Sequence, residues 1–309
     1  MKKLLLLQGL LLLVMTVNGQ QDAMYTQYMF NTLAINPGYA GSRGTLNATA
    51  MYRRQWIGVE GAPETQTVSL DMGTRDKKIG LGLQAFNDKI GITKSTGFYL
   101  TYAYRINFGD DESSLAVGLQ GGFTNYRANL TKVSLIDQAG DPAFMQNVNV
   151  LMPSFGSGIY YHNSRFYAGF SIPNIVRTYL RKDQYLYTTD VVAHRYMHLF
   201  FMTGYVFDLN EDYKLKPSLL MKAVKGAPIE ADINANLWIK DVVAIGASYR
   251  TGDAISGLLE LQLGPQFRLG YAYDHSVSKL VKYNQGTHEI MLRFEFGWER
   301  GDILSPRYF

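Results

Sequence analysis

Hydrophobic and polar residues alternate over stretches of about ten residues along most of this chain. In residues 289–298, one set of alternate positions carries only apolar side chains, and the other carries mostly charged ones. Residues 229–240 and 266–274 follow the same two-residue period. Successive side chains of a β-strand point to opposite faces of the sheet, so this period indicates strands rather than helices. The alternation therefore predicts an all-β fold.

The length of these segments indicates strands that cross a membrane. Segments of roughly 10–12 residues match the length that a tilted strand needs to cross the hydrocarbon core, whereas strands of soluble proteins average about 5–6 residues. Aromatic residues such as Tyr102, Tyr104, Tyr271 and Tyr273 lie near segment ends, where membrane barrels carry aromatic girdles. Only a closed sheet satisfies every backbone group in lipid, so we expect a transmembrane outer-membrane β-barrel of about 14 antiparallel strands. The predicted strands lie near residues 45–57, 64–74, 78–88, 94–107, 114–124, 153–162, 164–172, 194–208, 212–223, 229–239, 242–251, 254–263, 266–275 and 288–298.

The connections between the predicted strands alternate between short and long. Those that follow even-numbered strands are short turns, whereas three of those that follow odd-numbered strands span residues 125–152, 173–193 and 276–287. Outer-membrane barrels have short periplasmic turns and longer outer loops. We therefore expect a monomeric barrel over residues 45–298, with the long loops outside the cell and both termini in the periplasm.

The first nineteen residues have the composition of a secretory signal peptide. Lys2 and Lys3 precede an apolar run that ends near Val17, and cleavage is expected after Gly19. The run is shorter than the roughly 20 residues that a membrane-spanning helix needs, which disfavours an uncleaved anchor. Residues 20–44 then form a periplasmic N-terminal lead-in, and residues 299–309 form a periplasmic C-terminal tail.

Composition and motifs argue against catalysis. The chain contains no cysteine, which excludes disulfides, thiol catalysis and cysteine-ligated metals, and its net charge of +4 is too small to indicate nucleic-acid binding. His194 and His198 share a strand face but lie about 13 Å apart at the strand rise, too far to ligate one metal ion through that strand alone. Nucleophile elbows, phosphate-binding loops and zinc-protease motifs are absent from the sequence. We expect a non-enzymatic protein without cofactors or metals.

The predicted lumen carries charges of both signs. Arg53 and Arg54 are neighbours on the first predicted strand, so one should point into the lumen and the other towards lipid or the headgroups. Mutual pairing in a solvated lumen explains such a mixture better than a selectivity filter, which would favour one sign. The inward-facing set is Lys214, Lys216, Lys222, Glu230, Asp232, Lys240, Arg250, Glu260, Arg268, Glu289, Arg293 and Glu295.

Motifs at both ends of the chain resemble a known family. The segments QDAMYTQYMFN (21–31), NPGYAG (36–41), YRRQW (52–56), PETQT (63–67) and ILSPRYF (303–309) are similar to those of the PorP/SprF outer-membrane proteins of Bacteroidetes. The resemblance implies a partner in type IX protein secretion and gliding motility. It implies either association with the secretion motor or the export or surface retention of a large adhesin.

Two surfaces are candidates for binding a protein partner. The outer rim contains clusters of apolar and aromatic residues of the kind that mark interaction sites, although these loops could instead fold inward and close the barrel mouth. The periplasmic side contains Met24–Ala40, which either docks a partner, tucks into the periplasmic mouth or packs on the barrel wall. The final Tyr308 and Phe309 resemble the signal for outer-membrane barrel assembly. The candidate partner-binding residues are Phe144, Met145, Tyr179, Tyr185 and Tyr187 on the rim and Met24, Tyr25, Tyr28 and Phe30 near the N-terminus.

Two other functional classes stay open from the sequence. A passive outer-membrane transporter or porin for small or apolar solutes would show solute flux through the purified protein. An outer-membrane hydrolase would need a serine and a histidine that converge near the outer mouth.

Overall fold

A computed structural model describes residues 24–109, 113–133, 146–175, 178–181, 191–195 and 197–296. The predicted signal peptide, the C-terminal tail with Tyr308 and Phe309, and the rim residues Phe144, Met145, Tyr185 and Tyr187 lie outside the described residues. Tyr179 lies in a described strand, but its side chain does not belong to the described part.

Seventeen β-strands and five short 3-10 helices make up the described part of the chain. The helices span Tyr28–Phe30, Thr32–Ala34, Pro37–Tyr39, Leu130–Lys132 and Lys279–Lys282. The strands are β1 (Leu46–Arg54), β2 (Glu64–Gly73), β3 (Ile79–Ile90), β4 (Thr93–Phe108), β5 (Ser113–Ala128), β6 (Val148–His162), β7 (Phe166–Ile172), β8 (Thr178–Arg181), β9 (Val191–Arg195), β10 (His198–Tyr205), β11 (Phe207–Asp208), β12 (Tyr213–Val224), β13 (Glu230–Ile239), β14 (Val243–Arg250), β15 (Ala254–Gln262), β16 (Phe267–Ser276) and β17 (Thr287–Phe296).

Fourteen strands form one closed antiparallel barrel. Strands β1 to β7 follow one another around the wall, β12 to β17 continue it, and β10 fills the place between β7 and β12. Strand β1 pairs with β17 and β10 pairs with β12, so the ring closes. The short β11 extends the wall beside β12, and β8 and β9 form a separate two-stranded hairpin. The loop predicted over residues 173–193 and the single strand predicted over 194–208 are therefore wrong in part, and His194 and His198 lie on different strands. The predicted barrel of fourteen antiparallel strands is confirmed.

The wall is apolar on the outside and polar on the inside. Leu119 and Ile233 are more than half exposed on the outer face, whereas Thr49, Asn234 and Arg250 are buried on the inner face. This is the inverse of a soluble protein and suits a surrounding lipid phase. Within the described residues, the structure has no helix that is long and apolar enough to cross a membrane.

Three adjacent strands are longer than their neighbours. Strands β4, β5 and β6 contain 16, 16 and 15 residues, whereas β7 contains seven. The sequence predicted a loop over residues 125–152, and this prediction is wrong at both ends, because β5 continues to Ala128 and β6 begins at Val148. Backbone pairing of these strands continues past the apolar band. The outward side chains there include Asn125, Arg127 and Asn149 as well as Leu151, so regular alternation of apolar residues no longer marks a strand.

Cysteine labelling tests the predicted orientation. Arg75 lies in the short turn between β2 and β3, and Lys282 lies in the long connection between β16 and β17; both are exposed. Because the chain has no cysteine of its own, Arg75→Cys and Lys282→Cys each introduce a single thiol. We expect a membrane-impermeant maleimide added to intact cells to label the Lys282→Cys protein and to label the Arg75→Cys protein only after cell disruption. The opposite pattern would reverse the orientation.

Candidate functional site

Residues 24–44 lie inside the barrel and are called the plug below. Nearly all of them are buried, and they contain three single-turn 3-10 helices. Tyr28 and Leu33 of the plug belong to one hydrophobic cluster with Tyr160, Met202 and Trp238 of the inner wall. The main apolar core of this protein therefore lies between the plug and the barrel wall.

The plug crosses the lumen from one end to the other. At its start, Tyr25 hydrogen-bonds Thr67, and its carbonyl accepts from Arg250 at the long-loop end of β14. At its finish, the backbone N–H of Gly41 donates to Asp71 over 3.0 Å, next to the short turn after β2. With the long loops outside, as predicted, Met24 lies in the outer half of the lumen. The position of the mature N-terminus itself stays a prediction, because it falls outside the described residues.

A tight turn brings the middle of the plug against the wall. The Asn36 side chain accepts a hydrogen bond from Gly38 N over 2.9 Å and donates to the Ile159 carbonyl over 3.0 Å. A Cβ added to Gly118 of β5 would lie 2.3 Å from the carbonyl carbon of Pro37. The two backbones therefore approach so closely that position 118 accepts only glycine.

A buried ionic cluster holds the start of the plug. Arg53 bonds Asp274 over 2.8 Å and Glu289 over 3.0 Å, and it also donates to the Thr26 hydroxyl over 2.8 Å. Glu289 accepts the backbone N–H groups of Thr26 and Gln27 over 2.9 and 2.8 Å. These carboxylates and the guanidinium are almost fully buried. The cluster thus joins β1, β16, β17 and the plug through charge-assisted hydrogen bonds.

Other charged residues of the lumen also form pairs. Arg250 bonds Asp232 over 3.0 Å, and Arg268 bonds Glu260 over 3.0 Å. Arg53 points inward and is buried, whereas its neighbour Arg54 is exposed. The alternation predicted that the two face opposite sides, and the structure decides which one faces the lumen. Lys240 is the exception among the predicted inward-facing residues, because it lies exposed in the turn after β13. These pairs agree with the interpretation of a mutually paired lumen.

The N-terminal candidates for partner binding are part of the plug. Tyr25, Tyr28 and Phe30 are buried against the inner wall, and Met24 is partly buried there. Burial raises the pKa of the Tyr25 phenol above its ordinary value. In this conformation these four side chains contact the barrel, and the described surface available to a partner lies elsewhere.

Part of the predicted connection 125–152 is strand: residues 125–128 of β5 and 148–153 of β6, with the paired residues 93–96 of β4, extend beyond β7 and are called the projecting sheet below. Met152 is buried in a small cluster with Tyr126 and Val150. Leu151 and Phe155 point the other way and are among the most exposed apolar residues. The loop predicted over residues 125–152 includes Val150, Leu151 and Met152, but in the structure these residues belong to β6.

One serine lies beside a histidine. Ser114 Oγ is 2.9 Å from His162 Nε2. Both residues lie at the short-turn ends of their strands, β5 and β6, so this contact is at the opposite end from the outer mouth that a hydrolase site would need. Among the described residues, no group of His, Asp and Glu side chains has the arrangement of a metal site.

The closed wall, the lipid-facing apolar surface and the polar lumen together define an outer-membrane β-barrel protein. Sequence comparison then identifies the particular family. The profile of the type IX secretion system membrane protein PorP/SprF matches residues 17–294, and the chain belongs to this family. No curated protein sequence matches the chain.

Solved structures with the same fold are distant in sequence. The toluene transporter TbuX of Ralstonia pickettii shares 9% identity, with 91% of this chain and 97% of that chain covered and a TM-score of 0.51. The monoaromatic hydrocarbon channel CymD shares 10% identity over 90% of this chain and 94% of its own, with a TM-score of 0.50. Identity this low establishes the shared barrel fold alone.

Proposed function

We propose that this protein is a non-enzymatic partner in type IX secretion that supports export or surface retention of a large secreted adhesin. Membership of the PorP/SprF family supports a role in this secretion system. The structural observation that carries the proposal is the plug, which fills the lumen with the chain's own residues. A barrel occupied in this way has its outer rim and its periplasmic face available for binding other proteins.

The proposal assigns adhesin binding to the outer rim and association with motor proteins to the periplasmic face. We expect Tyr179→Ser/Tyr185→Ser/Tyr187→Ser to leave the amount of folded barrel unchanged and to release the adhesin into the medium. Immunoblots of cells and medium measure the distribution of the adhesin. Tyr283→Ser is the matched control, because Tyr283 is exposed in another long connection. Retention of the adhesin by the triple variant would contradict the assignment to these tyrosines.

A passive transporter for apolar solutes is the second candidate. Its support is a recess of about 680 Å³ on the lipid-facing side of the wall, where leucines of β1 to β5 and Phe155 of β6 would contact an apolar solute. Uptake of an apolar solute into liposomes that contain the purified protein would favour this function. Absence of uptake, together with release of the adhesin when the gene is deleted, would favour the secretion role.

A further inference from the structure

Residues 148–153 of β6 form an edge of the projecting sheet, because among the described residues only β5 pairs with them. Strand β7 pairs with β6 from Ser157 to His162, and the chain after β7 follows β6 up to Phe155, whose carbonyl accepts from Ile175 N over 2.7 Å. Beyond that point, Val148–Pro153 pairs with β5, and no described residue pairs with its other side. The β8–β9 hairpin forms a sheet of its own.

The free side of β6 presents a regular set of backbone groups. In an antiparallel sheet, alternate residues direct their N–H and C=O groups to opposite neighbours. Since Phe155 bonds on the β7 side, Pro153, Leu151 and Asn149 face the same way. Asn149 and Leu151 each present a donor and an acceptor, whereas Pro153 presents an acceptor only. The edge thus offers two donors and three acceptors at the spacing of a strand.

This edge lies above the lipid-facing apolar band. Side chains that lie opposite one another on adjacent strands form rows across the sheet. The outward-facing row that ends at Pro153 is apolar and contains Ala85, Phe98 and Phe123. The row that ends at Asn149 contains Lys89, Lys94 and Arg127, with Glu64 of β2 opposite Lys89 at its far end. Unpaired backbone groups are too costly in hydrocarbon but are accessible in water. Among the described residues, nothing pairs with these backbone groups of Asn149 and Leu151, so they are accessible to a partner outside the membrane.

We infer that a surface-exposed segment of the secreted partner adds an antiparallel strand to Val148–Pro153. Exposed sheet edges recruit extended chains through backbone hydrogen bonds, and side chains on alternate positions give specificity. Natural edges are usually blocked by charges or proline, but here the only proline lies at the base of the edge, and Leu151 above it is 63% exposed. The inference rests on the proposed function, because it names how the partner is held.

The neighbouring side chains define the chemistry of the added strand. Three cations lie in one row across β3, β4 and β5, and like charges directly opposite each other destabilise a sheet. A carboxylate beside Asn149 would extend this row and offset its charge. An apolar residue two positions away in the added strand would cover Leu151. The partner segment is therefore an extended strand with an acidic and an apolar residue on the same face.

Proline and alanine variants separate backbone pairing from side-chain contact. Asn149→Pro/Leu151→Pro removes both free N–H groups and leaves the pairing with β5 intact, because these groups point away from it. Asn149→Ala/Leu151→Ala keeps the N–H groups and removes the same side chains. The partner is first identified as the secreted protein that moves from the cell surface to the medium when the gene is deleted. If deletion releases no protein, the proposed function itself fails.

We expect the proline variant to release this protein to the extent seen in the deletion strain, and the alanine variant to retain a larger share of it. The amount of folded barrel is measured by its heat-dependent migration in gels. If cells with the proline variant keep as much of the secreted partner on their surface as wild-type cells do, the inference is overturned but the proposed function stands. Equal release by both variants would assign binding to the side chains and also overturn it. A lower unfolding temperature of the purified proline variant would mean that the same chain pairs with this edge, which contradicts an external strand.

Discussion

Replacing Arg53 with methionine is expected to lower the free energy of unfolding by about 3–5 kcal/mol, the usual cost of breaking a buried ion pair by removing one partner. The substitution keeps most of the side-chain volume and leaves the carboxylates of Asp274 and Glu289 buried without their shared guanidinium. Denaturant titration of the refolded barrel in lipid vesicles measures the change. Proteolysis of the N-terminal segment should also become faster, because Arg53 bonds Thr26 of the plug.

Arg54→Met is the matched control for this prediction. Arg54 is the next residue of β1 and is exposed, so its replacement should change stability by less than about 1 kcal/mol. Adding Asp274→Asn and Glu289→Gln to Arg53→Met removes the unpaired charges and should recover part of the lost stability. Equal stabilities for the two arginine variants would show that the ionic cluster does not hold the plug.

Replacing Gly118 with leucine is expected to displace the plug and open the lumen to ions. The new side chain would occupy the space of the Pro37 and Gly38 backbone, which lies within 2.4 Å of a Cβ at this position. Overpacking of this kind typically costs about 1–3 kcal/mol, which movement of the plug relieves more readily than distortion of a hydrogen-bonded wall. In planar bilayers, the unchanged purified protein should show no stable channel openings, whereas the Gly118→Leu protein should show them.

Gly257→Leu controls for the introduction of leucine into the wall. A Cβ at Gly257 meets no atom within 4 Å, and the residue is exposed on the outer face. This variant should conduct no more than the unchanged protein. Deletion of residues 24–40 provides a second route to the same open lumen. Stable openings of the unchanged protein, or a closed lumen after the deletion, would contradict the role of the plug as a closure.

The candidate site could be predicted from the sequence only in part. Alternation on β1 predicted that Arg53 and Arg54 face opposite sides of the wall, and the structure showed that Arg53 is the buried one. The partners of Arg53 were not predictable, because Arg53 and Asp274 are 221 positions apart and meet only when β1 closes on β17. The plug has aromatic residues without a two-residue period, so the sequence left open whether it packs on the wall or docks a partner. The turn at Asn36–Gly38 was predictable by its chemistry, but its contact with Gly118 was not.

The sequence by itself determined the number of barrel strands, their faces and the membrane environment, because each depends on side chains a few residues apart. The tertiary structure decided what fills the barrel and which strand edges have no partner within the described residues. Plug packing depends on residues brought together from opposite walls, and the extra length of β5 and β6 depends on backbone pairing that continues where side-chain alternation has stopped. Local sequence patterns indicate whether a side chain faces lipid or the lumen. Long-range contacts decide which surfaces the chain itself already covers and which are left for a partner.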